Sequence, residues 1–172
     1  MKYIKRYLGK FASSARSPLK QNFVHALWAF LGGSITAFVL ASFSSPTGLP
    51  LLMAPFGASC VLAFGIPDAP LSQPRNIIGG HFLTTLCGLM VLHLAGSGVW
   101  ALSLGVGLGI AAMLLTKTTH PPAGANPIIV ITSASTWSFL VTPVLTGSIM
   151  IVCVALLYNN LFKNRKYPTF WI

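Results

Sequence analysis

A proline- and glycine-interrupted stretch occurs twice in this chain. Pro55-Phe56-Gly57-Ala58-Ser59 returns as Pro122-Ala123-Gly124-Ala125-Asn126, an offset of 67 residues, and each copy lies between two long hydrophobic segments. Each copy is followed by a second landmark, Pro74 with Gly79 and Gly80 in the first half and Pro143 with Gly147 in the second. An internal duplication with a broken helix at matching places in both halves is the sequence pattern of a transport site between membrane repeats.

Composition fits a bilayer. Of 172 residues 54% are hydrophobic and 7% charged, with a mean hydropathy of +0.76, which implies an integral membrane protein. The formal charge of +10 sets eleven Lys and Arg against one acidic residue, Asp68. Their positions argue against a nucleic-acid partner: Lys2, Lys5, Arg6, Lys10, Arg16 and Lys20 precede the first apolar run, and Lys163, Arg165 and Lys166 follow the last. Such flanking charge reads as a topology signal and an anchor for anionic lipid head groups. Cys60, Cys87 and Cys153 lie in apolar runs without paired spacing, so they read as packing residues. A secretory signal peptide is disfavoured, because the chain after it is equally hydrophobic.

Four stretches follow: a basic amphipathic interfacial segment (1–17), a first membrane repeat (18–96), a second (97–162) and a basic cytoplasmic tail (163–172). In the first, Tyr3, Ile4, Tyr7, Leu8 and Phe11 share one helical face opposite the lysines. Ser17-Pro18 is a good cap and first-turn pair, so helix one is expected over 18–43, stopping at Ser44-Ser45-Pro46-Thr47-Gly48. Segment two covers 49–66 and is interrupted by Pro55 and Gly57; helix three covers 76–95, helix four 99–116, and helix six 137–162. Segment five, 121–132, is short against the roughly twenty residues of a straight span.

The expected fold is therefore an all-α integral membrane bundle of six hydrophobic segments. If all six cross, both termini and the loops holding Asp68 with Arg75, and Lys117 with His120, share the cytoplasmic face, so every basic residue is inside. Three crossings per half make the two repeats inverted. The alternative, four spanning helices with segments two and five re-entrant, makes them parallel and exports Arg75 and Lys117.

Breaks at Pro55-Gly57 and at Pro121-Pro122-Gly124 aim two helix N-termini, with their unpaired N–H groups, toward a common region, where they attract anions. Non-helical backbone at that depth is costly unless protein or a water-filled cavity satisfies it. The bland alternative is that Gly57, Ala58, Gly124 and Ala125 allow close helix packing.

His120-Pro121-Pro122-Ala123-Gly124-Ala125, with Pro55-Phe56-Gly57-Ala58-Ser59, the run from Pro70 through Arg75 to Gly79-Gly80-His81, and Tyr167-Pro168, resembles the HPP family of small integral membrane proteins. The resemblance runs from about Trp28 to the end. It implies a bacterial inner-membrane protein with plant relatives that are chloroplast nitrite transporters, and it implies four spanning helices rather than six. Nitrite fits the residues. Ser59 and Asn126, at equivalent positions just inside the broken helices, are the leading ligand candidates, with Gly57, Ala58, Gly124 and Ala125 beside them. Thr84, Thr85, Thr118 and Thr119 offer further hydroxyls. His120 can donate to an anion, carry a proton or cap a helix. His81 has no counterpart in the second half and reads first as structural, with a place on the pathway as the alternative. Arg75 and Lys117 stand at the mouth as anion attractors or as topology determinants.

An enzyme is not expected, since one carboxylate cannot supply an acid–base pair and no nucleophile elbow, phosphate loop or zinc motif is present. No metal site or cofactor is expected. The expected activity is facilitated movement of a small inorganic anion, nitrite foremost, with a structural or regulatory membrane subunit, or a channel for another solute, as alternatives. The glycines Gly105, Gly107 and Gly109 suggest a homodimer face on helix four.

Overall fold

The computed structural model describes residues 2–18, 22–47 and 51–172. Among them the chain is all-helical. Helix α1 spans Lys2–Leu8 and tightens into a 3₁₀ turn over Gly9–Phe11, with no residue buried and Tyr7 edge-on to Phe11 at 5.2 Å, as the amphipathic pattern predicts.

Helix α2 spans Phe23–Thr47, so it begins five residues after Pro18 and ends four after Phe43. The start is set by Asn22, whose side-chain oxygen accepts the His25 N–H at 2.8 Å, a true N-cap that displaces the expected Ser17-Pro18 pair. The late end follows from Ser44, whose hydroxyl donates to the Leu40 carbonyl one turn back (2.8 Å) and so fits inside a helix instead of breaking it. Lys20, Gly48 and the expected start of segment two at Leu49 lie outside the described residues.

The first interrupted segment is α3, Ala54–Cys60, continued by a wider π-type stretch over Val61–Gly65. Pro55 opens it and Gly57 lies within it, so the break expected at Pro55-Gly57 is a helix start rather than a mid-helix kink. The second is a 3₁₀ turn over Pro121–Ala125 that leads into α6, Asn126–Thr132. The two segments have equal length, and a shift of 67 residues carries Ala54 onto Pro121 and Gly65 onto Thr132. Helix α4 spans Pro74–Ala95, α5 spans Val99–Leu115, and α7 spans Thr146–Asn160 after a π-type stretch at Leu140–Leu145 where Thr142 departs from helical geometry. The α4–α5 connection is tight because Gly96 adopts φ +73°, which only glycine enters freely.

Among the described residues three helices are long and apolar enough to cross a membrane: Phe23–Ser44, Pro74–Ala95 and Leu140–Asn160. Ala54–Gly65 and Val99–Leu115 are shorter apolar helices. Only 17% of the most apolar stretch of α2 is buried, and its exposed Phe23, Phe30 and Phe38 need an apolar solvent. Hydrogen bonds gather one end of the bundle. His25 of α2 and Arg165 after α7 meet the last carbonyls of the first interrupted segment, Arg75 donates to the Thr116 carbonyl at the end of α5 (2.8 Å), and the Tyr167 hydroxyl donates to the Ser72 carbonyl (2.8 Å). The tail is thus docked, not free. Tyr167 is buried, which pushes its phenol above the usual tyrosine range, and Thr169 N–H donates to Gln73 Oε1 at 2.8 Å.

Helices pair across the halves. Helix α4 packs on α5, α6 and the 121–125 turn, α7 packs on α2 and α3, and α4 and α7 also touch each other. Both contacts depend on a glycine. A Cβ on Gly147 meets the Phe56 ring at 2.2 Å, and one on Gly80 meets His120 Cβ at 2.8 Å. The glycines of α5 act in the same way: a Cβ on Gly105 meets Ile131 at 2.8 Å and one on Gly109 meets Thr84 at 3.3 Å, so both serve packing within the chain, and of the three glycines expected on a dimer face Gly107 alone is exposed.

Candidate functional site

Ser59, His81, His120 and Asn126 come from four different parts of the chain and are all fully buried together. Ser59 stands in the second turn of α3, His81 two turns into α4, His120 at the residue before the 121–125 turn, and Asn126 at the start of α6. Ser59 Oγ lies 2.8 Å from His81 Nε2 and 2.8 Å from His120 Nε2, and 3.0 Å from the Pro55 carbonyl. The Asn126 side-chain nitrogen reaches His81 Nδ1 at 3.0 Å, the His81 carbonyl at 3.1 Å and Thr85 Oγ1 at 2.9 Å. His120 Nδ1 lies 2.8 Å from the Leu71 carbonyl. The two imidazoles stand edge to face at 5.1 Å, and Phe56 covers His81 at the same distance.

The result is one unbroken polar chain through an apolar bundle, drawing on both halves. In a membrane interior such groups are kept only when mutually satisfied, and they cluster at pathways and switches. Two side-chain oxygens nearby have no partner although fully enclosed: Asn126 Oδ1, and Oδ1 of Asn76, whose nitrogen donates to the Thr119 carbonyl at 2.9 Å.

The other residues singled out by sequence are distributed around this core. Gly57 and Ala58 lie on the exposed side of α3, Gly57 in a groove against α2 that Gly33 and Cys60 also line, and not on the face that carries Ser59. Gly124 and Ala125 are half-buried, and a Cβ on either Gly57 or Gly124 meets nothing within 4 Å. Pro121 and Pro122 open the second short helix. Arg75 is half-buried and tied to the end of α5, while Lys117 is exposed with φ 57°. Thr84 donates to the Gly80 carbonyl (2.8 Å), and Thr118 is buried against Gly79. His25 and His93 stand near helix ends. His93 packs on Trp137 at 5.0 Å, and His25 joins the cluster at Gly65.

Two features of the site are not legible in the sequence. Asn76 is the first, and its only signal is a polar residue one turn ahead of Gly80 in an apolar helix. The second is the role of His81, which has Ser148 at the equivalent position and so no repeat signal. Thr85, by contrast, is one of the hydroxyl candidates, and its bond to Asn126 singles it out from the rest.

The residues of the His-Pro-Pro segment therefore sit at the meeting point of the two short helices, and the family comparison covers them. The family model for the HPP transmembrane region matches residues 18–168. The chain belongs to the HPP transmembrane family. Two transmembrane proteins of Dictyostelium discoideum are similar to it: one is 33% identical over 181 residues, covering 98% of this chain and 58% of its own length, and the other 32% identical over 183 residues, covering 99% and 64%. The HPP chain thus spans less than two thirds of these relatives. No solved structure matches it.

Proposed function

We propose that this HPP protein moves a small inorganic anion, nitrite foremost, across a membrane through the site where its two short helices meet. The observation that carries the proposal is the Asn126–His81–Ser59–His120 chain, a continuous set of polar side chains in the centre of an apolar bundle. A polar centre beside two helix starts suits a small monovalent anion.

On this reading all six segments cross, and the halves are inverted repeats. Support comes from the matching limits of the two short helices and from the exchange of partners, α4 with the second short helix and α7 with the first. The end that gathers Arg75, Lys117 and Arg165 is then the cytoplasmic one, with both termini there, in a bacterial inner membrane. The protein acts as a carrier or channel and not as an enzyme, and a homodimer, if formed, uses a face other than Gly105 and Gly109.

A second reading, a membrane subunit without transport, draws on the complete burial of the four side chains. One experiment separates them. Purified protein in proteoliposomes is assayed for nitrite and chloride flux, alongside Asn126→Leu and His120→Ala. The transport reading expects nitrite flux that both variants abolish. Flux unaltered in both removes the site assignment, and no anion flux in the parent protein favours the subunit.

A further inference from the structure

We infer that the site carries its anion together with a proton, so that the net cargo is the neutral conjugate acid of a weak-acid anion such as nitrite; this rests on the anion-transport reading. The donor and acceptor inventory leads there. His120 Nδ1 faces the Leu71 carbonyl, which only accepts, so Nδ1 bears the hydrogen. In the neutral ring Nε2 is then an acceptor, and Ser59 donates to it. Ser59 Oγ in turn accepts from His81 Nε2–H, and His81 Nδ1 accepts from Asn126. The Asn126 amide cannot be turned round, because the same nitrogen faces the His81 carbonyl. The imidazole and Ser59 hydrogens are consumed inside the chain, and the two Asn126 amide hydrogens are shared among His81 Nδ1, the His81 carbonyl and Thr85 Oγ1. What remains unpartnered and fully buried is an acceptor, Asn126 Oδ1. A bare anion gains nothing from that oxygen, whereas a species carrying O–H does.

The same wiring accommodates one added proton. When His120 Nε2 takes it up, the Ser59 hydroxyl turns to its second acceptor, the Pro55 carbonyl at 3.0 Å, and Ser59 Oγ accepts from both imidazoles. No hydrogen bond is lost. The cost is charge. The groups packed around the pair are Ser59 and Phe56 from α3, Asn126 from α6, Thr85 from α4 and the Leu71 carbonyl, none of them anionic. Asp68, the single acidic residue of the chain, is exposed. A buried imidazolium therefore lacks a counter-ion until the anion arrives. Each of the two ligands raises the affinity for the other, by reciprocal linkage. Release reverses the step: the proton leaves Nε2 with the anion, and Ser59 donates to His120 again.

The test uses the full chain in proteoliposomes given sodium nitrite, with internal pH followed by a trapped dye and the membrane potential clamped by valinomycin and potassium. Rates are read above protein-free vesicles, which nitrous acid also enters. The expected result is about one proton per nitrite, a rate indifferent to the clamped potential, and a nitrite gradient of roughly tenfold sustained per pH unit of imposed gradient. His120→Gln, which keeps amide donors and acceptors but binds no proton, is expected to lose the acceleration by an inward proton gradient. Nitrite entry without acidification, scaling with the potential, overturns proton coupling and leaves anion transport standing. No nitrite entry above protein-free vesicles removes both. The stoichiometry of the parent protein decides the question even where His120→Gln does not fold.

Discussion

The two short helices have the same length and lie 67 residues apart, yet they are finished differently at both ends. At its start the first carries Phe56 against Gly147, where the second has Ala123. In the second turn the first carries Ser59 and the second Asn126. At its far end the first is capped from outside: His25 Nε2 donates to the Gly65 carbonyl at 2.6 Å, Arg165 to Phe64 at 3.3 Å, and Asn159 to Ala63 at 3.0 Å. The second closes with its own side chains, Thr132 and Ser133 donating to Ile128 and Ile129 carbonyls at 2.8 and 2.7 Å. The two stretches thus share a length and a proline at the start, and differ in helix type and in what fixes each end. The first copy is clamped by a bulky ring and by caps from α2, α7 and the tail, and the second is packed against α4 and α5, closes its own end and supplies the amide of the site.

That contrast can be broken at several points. The largest effect is expected at Gly147. Gly147→Val forces atoms into the Phe56 ring and should cost about 3 kcal/mol or more, the upper range of core overpacking, seen as loss of folded protein on size exclusion in detergent. Phe56→Ala in the same chain should restore part of the yield, since it opens the space that Val needs. Gly57→Ala, by contrast, should be silent, because a Cβ there meets nothing within 4 Å.

Making the copies alike at the site comes next. Asn126→Ser removes the amide that holds His81 and Thr85, and is expected to lower nitrite flux about tenfold, equivalent to one interaction of about 1.4 kcal/mol, with the fold retained. An unchanged rate would mean that the amide is packing material.

The caps give a smaller difference. Arg165→Ala should lower the thermal midpoint by a few degrees, a loss of about 1 kcal/mol for carbonyls at a helix C-terminus. Thr132→Ala should change it by less than about 0.5 kcal/mol, as for an ordinary surface position. Equal effects would show that the two ends are held alike after all.

The repeat makes much of this legible. Pro55 and Pro121-Pro122 announce two helix starts, and the shared offset points to Ser59 and Asn126 without any knowledge of their partners. Proline at a first turn is a local signal, so it survives without tertiary information. The start of α2 at Phe23 is local too, but two caps compete, and Asn22 prevails over Ser17. The facing of Gly57 and Ala58 is not legible, because it depends on the rotation of a helix seven residues long before it widens. His81 is hidden for a different reason. The 67-residue offset gives it no echo, since it falls on Ser148, and its partners Ser59 and Asn126 lie 22 and 45 residues away. The role of Gly105 and Gly109 in α5 is not legible because glycine reports close contact without saying with what, and here Pro127 and Ile131 of the same chain supply the contact.

The central claim is that the sealed polar chain opens to water and to the anion. Ser59→Cys, nearly isosteric, in a chain with Cys60, Cys87 and Cys153 replaced by Ala, can be exposed in proteoliposomes to a small methanethiosulfonate reagent with and without nitrite. The account predicts labelling of the introduced thiol in the folded protein, at a rate that nitrite slows. A thiol that reacts only after denaturation, with or without nitrite, would mean a permanently dry centre and would contradict it.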